Sequence, residues 1–265
     1  MDEVTPLDTA HAAMEGDVQD DAARLRFYER LADSELFLML SEESKDGADN
    51  VTPEVFDLGT SRYVLVFDRE DRLAAFSGGV TPYVSLSGRA IAQMLAGEDI
   101  GLGVNLEVAP SSILLPPDAI AWLNETLGNS PDELDAKVTE VRPPHGLPEQ
   151  LIAAIDTKLA TAMGLANAAY IVSTTYEHGG QGHMLAFVEA IPEAQGALAR
   201  AASEALTFST IEAGAMDVAF FRASDPIVEK LERVGLRFDL PQLQEPVTQT
   251  LPTPGMDPEK PPKLK

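Results

Sequence analysis

The run Arg24-Leu-Arg-Phe-Tyr-Glu-Arg-Leu-Ala-Asp-Ser-Glu-Leu-Phe-Leu-Met-Leu40 changes its period midway. Phe27 and Leu31 fall four apart, with Arg24, Arg26 and Arg30 snorkelling beside them, which predicts a helix over Ala22–Ala32. Leu36–Leu40 is then apolar at every position, as suits a strand covered on both faces. Further on, Tyr63–Phe67 and Arg72–Phe76 flank the charged segment Asp68-Arg-Glu-Asp71. Their short separation reads as an antiparallel hairpin with an exposed tip. Helix, buried strand and hairpin together predict a mixed α/β domain in which hairpins pack against helices.

The same reading extends in both directions. Thr5 and Pro6 predict the capped start of a short helix carrying Leu7, Ala10 and Met14. Ser87 caps a helix over Gly88–Ala96, Leu102–Glu107 alternates as a half-buried strand does, and Pro116-Pro-Asp118 leads into a helix ending at Gly128. Breakers fill 129–147, so a second unit is expected over 148–240 after this linker, with Leu134–Val141 available for a short strand. There Leu151, Ile155 and Leu159 mark a helix, and Ala168–Thr175 and Met184–Ala190 a hairpin. An Ala-rich helix over Glu193–Leu206, a strand at Met216–Phe221 and a helix capped by Asp225 follow. Both halves read as helix, hairpin, helix, strand, helix, without visible sequence identity between them. Residues 241–265 hold seven prolines and no apolar period, and are expected to be disordered.

Arg24–Leu40 and Tyr63–Phe76 together resemble the N-terminal domain of the SseB family, bacterial proteins without an assigned activity that usually carry a second domain. Ala168–Val172, the hairpin after it and Met216-Asp-Val-Ala-Phe-Phe221 resemble that family's C-terminal domain. The resemblance implies two mixed α/β domains, residues 1–128 and 148–240. It implies neither a substrate nor a cofactor.

Composition narrows the function. The 265 residues include no cysteine, which excludes disulfides and thiolate chemistry. No apolar run approaches the roughly 18 residues of a membrane span, and the acidic start lacks the pattern of a secretory signal. The cytoplasm is the expected compartment. A net charge of −24 disfavours nucleic acid and anionic membrane as partners, because both are bound by neutralising phosphates. Residues 1–128 hold 24 acids against 8 bases. An acidic surface for a basic protein partner, centred on Asp68, Glu70 and Asp71, is therefore the expected interaction site, and a non-enzymatic binding or regulatory role the expected function.

Chemistry-bearing motifs are sparse. The sequence shows no phosphate-cradling glycine loop, nucleophile elbow or His-Glu-x-x-His. His11 and His145 read as exposed surface residues. His178 and His183 flank a tight loop and could converge on a metal, with Glu177 or Glu189 as an oxygen ligand. The alternative to an interaction surface is a small-molecule sensor or enzyme with its pocket in the interdomain cleft near His145, since ligand sites favour domain interfaces. Oligomeric state is not legible.

Overall fold

The structure is a computed structural model and describes residues 4–17, 19–42, 51–59, 61–128, 138–177, 179–209 and 216–242. The first unit runs α1 (Pro6–Gly16), α2 (Asp21–Asp33), β1 (Glu35–Met39), β2 (Val55–Leu58), β3 (Ser61–Phe67), α3 (Glu70–Ser77), β4 (Tyr83–Ser87), α4 (Gly88–Leu95), β5 (Ile100–Val104), β6 (Ile113–Leu115) and α5 (Pro117–Gly128). Its sheet has the order β4-β1-β3-β5-β6, with β2 paired to β3. β3 and β5 are parallel, with Val66 opposite Val104, and the other pairs are antiparallel. Phe27, Leu31 and Ala32 of α2, Ile91 of α4 and Leu123 of α5 bury one face of this sheet, and Leu73 of α3 covers the other. β1 is an interior strand, as its continuous apolar run requires.

The second unit comprises β7 (Val138–Arg142), α6 (Glu149–Ala160), β8 (Ala168–Tyr176), β9 (Gln181–Val188), α7 (Gln195–Phe208), β10 (Met216–Phe221), α8 (Val228–Val234) and β11 (Leu236–Asp239). Strand order is β10-β9-β8-β11, with β7 on β8. α6 and α7 cover one face and α8 the other. The expected linker strand is therefore real but begins at Val138; 129–137 lies outside the described residues, as does nearly all of the proline-rich tail.

The predicted second half of the first hairpin is a helix. After β3 the chain turns at Asp68 and Arg69 and enters α3, whose first turn holds Glu70 and Asp71, the acidic residues a helix N-terminus favours. Leu73 and Phe76 then share a helical face, and Gly78, in the left-handed region at φ 70°, ends the helix. Five residues of mixed apolar pattern fit either period, so a helix of this length escapes the hairpin reading. Asp225 also acts differently from expectation. Its carboxylate accepts the Arg222 N–H at 2.8 Å, and the helix begins three residues later, at Val228.

The two sheets share an arrangement that the chain reaches by different routes. In each, a central antiparallel pair (β1 with β3, β8 with β9) has an antiparallel edge strand on one side (β4, β11) and a parallel strand on the other (β5, β10). The helices preceding those edge strands lie on opposite faces in both units. However, the antiparallel edge strand precedes the parallel strand along the chain in the N-terminal unit and follows it in the C-terminal one. One sheet arrangement is thus reached by two chain orders.

Gly88 sets the crossing of α4 on α2. Its N–H donates to the Ser34 carbonyl at 3.0 Å, and a Cβ there would stand 1.9 Å from the Leu31 carbonyl oxygen. Gly88→Ala is expected to destabilise the fold by about 3 kcal/mol, the upper part of the overpacking range. Urea unfolding checks this, and a loss under about 1 kcal/mol would show that the crossing yields.

Candidate ligand-binding cleft

The two units meet along α1 and α2 on one side and α6 and α7 on the other. Phe208, the last residue of α7, is buried within the N-terminal core. Around it the helices leave a cleft of about 590 Å³. α1 contributes Thr9, Ala10 and Ala13; α2 contributes Ala22, Arg26, Glu29 and Arg30; α6 contributes Gln150, Ala153, Ala154 and Thr157. This follows from helical spacing. Phe27 and Leu31 of α2, and Leu151, Ile155 and Leu159 of α6, point into their own cores, so the stripes beside them face each other. Alanines on three of the helices keep the space open.

A polar network fixes α1, one wall of this cleft. Thr5 and Asp8 form a capping box at its start. Asp8, 2% exposed, receives a two-pronged contact from Arg72, Nη1 to Oδ1 at 3.1 Å and Nη2 to Oδ2 at 2.6 Å. Arg72 also donates to Asp68 Oδ1 at 2.8 Å, and the Thr5 hydroxyl donates to Asp68 Oδ2 at 2.6 Å. Ser111 donates to Asp8 at 2.6 Å and receives the Asn105 amide at 2.8 Å, while the Asn105 carbonyl accepts the Asp68 N–H at 3.0 Å. Asp68 and Asn105 lie just beyond the carboxyl ends of the parallel strands β3 and β5, where α/β sheets commonly place polar groups. Burial opposes ionisation of Asp8, but hydrogen bonds from Arg72, Ser111 and Thr5, with the Arg72 charge, outweigh it and hold the carboxyl well below its usual range.

A second cluster closes the interface below the cleft. Lys158 of α6, 7% exposed, places Nζ 2.6 Å from Asp33, 3.1 Å from Glu204 and 3.6 Å from Glu29. Arg89 of α4 grips Glu204 with both nitrogens, at 2.9 and 3.0 Å, and reaches Asp33 at 3.0 Å. Every one of these contacts except Lys158 to Glu204 and Arg89 to Asp33 joins one unit to the other. Glu29 belongs to both cluster and cleft, and burial pushes its carboxyl up. Burial also opposes ionisation of Glu204, yet the Arg89 hydrogen bonds and the Lys158 charge hold its carboxyl down.

Of the three residues expected at an acidic interaction surface, Asp68 is drawn into the fold, whereas Glu70 and Asp71 are exposed and engaged by neighbouring side chains. Asp68 is in the buried network, Asp71 is clasped by Arg69 at 2.8 and 2.9 Å, and Glu70 accepts the Tyr83 hydroxyl at 2.9 Å. These three form no projecting tip, because Glu70 and Asp71 open a helix. His178 lies outside the described residues. The His183 Nε2–H donates to the His145 carbonyl at 3.0 Å, and His145 Nδ1 is 3.0 Å from the Ser173 hydroxyl. Among the described residues no three His, Asp or Glu side chains come together as a metal group. His145 is exposed, as expected, but lies away from the cleft. His11 is buried instead, edge-on to Phe27 at 5.6 Å, with Nε2 lacking a protein partner.

Residues 7–122 match the family model described as the SseB protein N-terminal domain. No curated protein and no solved structure matches the chain. No helix among the described residues is long and apolar enough to cross a membrane.

Proposed function

Because residues 7–122 are an SseB protein N-terminal domain, a domain with no assigned activity, we propose that this chain is a binding protein that senses a small molecule between its two units. One observation carries the reading. The cleft of about 590 Å³ is walled by helices of both units, so a ligand seated there touches both at once. Its volume is within the usual range for small-molecule sites. Glu29 lines the cleft and faces Lys158 at 3.6 Å, which connects any occupant to the charges that hold the units together. The second unit enters this proposal as the family's C-terminal domain on the resemblance of its strands.

Ala153 is exposed on the α6 wall, so a larger side chain there fills the cleft without entering a core. Thermal unfolding in the presence of a panel of small anionic, cationic and neutral amphiphiles should show at least one that stabilises the wild type. A ligand at about 100 times its Kd adds about 2.7 kcal/mol. Ala153→Trp should remove that stabilisation while keeping the wild-type circular dichroism spectrum. A panel without a stabilising member, or equal stabilisation of both proteins, would overturn the proposal.

A further inference from the structure

Resting on the cleft as a binding site, we infer that its ligand is a small organic monocarboxylate with an aliphatic body, whose carboxylate is held by Arg26 and Arg30. The two arginines stand one helical turn apart on the same wall. In a chain with 43 acids and 19 bases, most arginines at interfaces are claimed by carboxylates, as Arg72 and Arg89 are. Among the described residues Arg26 pairs only with Asp20, at 3.6 Å, and Arg30 forms no ion pair. The one acid on this wall, Glu29, pairs with Lys158 and is influenced by Arg30 through charge only, without an ion-pair contact. The wall therefore presents two guanidinium groups whose planar donor forks suit a carboxylate.

The remaining lining determines the rest of the ligand. Phe208 and the alanines of α1 and α6 offer an apolar surface, and among the described residues Phe208 is the one aromatic ring lining the cleft. A nucleobase would have no second ring to stack against, whereas an alkyl chain needs only apolar contact. The surrounding charge of −24 repels anions in proportion to their charge, so a single negative charge is favoured over a phosphate dianion.

Sodium octanoate is the probe, compared with octanol, octylamine and octyl phosphate by calorimetric titration of the full chain. Octanoate should bind the wild type, bind Arg30→Gln about tenfold or more weakly, and fail to bind Ala153→Trp. Octanol and octylamine should bind at least about tenfold more weakly than octanoate, the cost of a missing charge-assisted hydrogen bond. Arg30 is partly exposed and forms no ion pair among the described residues, so Arg30→Gln is expected to fold; its melting temperature verifies this. Equal affinity for octanoate and octanol, tighter binding of octyl phosphate, or octanoate binding unchanged in Arg30→Gln would overturn this inference and leave the cleft a binding site. Failure of all four probes, with another amphiphile bound and blocked by Ala153→Trp, would do the same. Failure of every ligand overturns both.

Discussion

Arg72→Met is expected to lower the unfolding free energy by about 3–5 kcal/mol, the cost of leaving buried charges without their partner, and to reduce the melting temperature by roughly 10 °C. The aliphatic stem is replaced at similar volume, so the loss isolates the guanidinium. Without it Asp8 and Asp68 face each other across an interior in which Thr5, Ser111 and Asn105 provide only neutral contacts. Adding Asp8→Asn and Asp68→Asn should recover part of the loss, because removing all the charges is far less costly than removing one sign. Acid titration gives a second measure. Since the Asp8 carboxyl is held below its unfolded value of about 3.9, its contribution is complete above that pH and is lost as pH falls toward the folded-state value. Asp8→Asn should therefore flatten the acid limb of the stability curve below about pH 4. A loss under about 1 kcal/mol for Arg72→Met would show the network to be dispensable.

The balance between local and distant information explains what the sequence disclosed. α2, α4 and β1 were legible because their periodicity, caps and apolar runs are encoded within a dozen residues. α3 was missed because Leu73-Ala-Ala-Phe76 fits both periods and the helix is stabilised by its anchoring arginine as much as by its pattern. The short strands β4, β6 and β11 alternate or run apolar over only three to five residues, too few to stand out from loop, and they form because β1, β5 and β8 offer pairing edges. General expectation puts a pocket between the units near His145, but the cleft lies instead among α1, α2 and α6, and its walls are not legible in the sequence. Arg26 and Arg30 read correctly as flanking an apolar stripe, yet nothing in α2 says that α6 stands opposite. Likewise, Asp8 and Arg72 are 64 residues apart, and Asp33 and Lys158 are 125 apart. No motif spans such distances. His11 was read as exposed because a lone histidine on a short helix looks so, and the burial comes from Phe27 packing against it.

Lys158→Met is expected to cost about 3–5 kcal/mol, and the effect should appear at the junction of the units rather than within either. The substitution leaves Asp33 and Glu204 with Arg89, which already contacts both, and leaves Glu29, among the described residues, with the charge of Arg30 alone to attract it. Three carboxylates then gather in a partly buried site with less positive charge, where their repulsion is incompletely screened. The Phe208 contact and the α2–α7 packing remain, but they must hold the units against that repulsion. Denaturant unfolding should consequently change from one cooperative transition to two, and hydrogen exchange should quicken along α2, α6 and α7 before the sheets. Glu29→Gln in the same background should restore part of the stability, because burial already disfavours its charge. The sign of its pH dependence opposes that of Asp8: a carboxyl raised on folding costs stability as pH climbs through the interval above its unfolded value. A double-mutant cycle between Lys158→Met and Glu204→Gln should give a coupling of about 1–3 kcal/mol for groups in direct contact. Additive losses with a single retained transition would show that apolar packing alone joins the units. In that case the cleft between them is a rigid feature of one folding unit, and occupancy could not alter how they sit together.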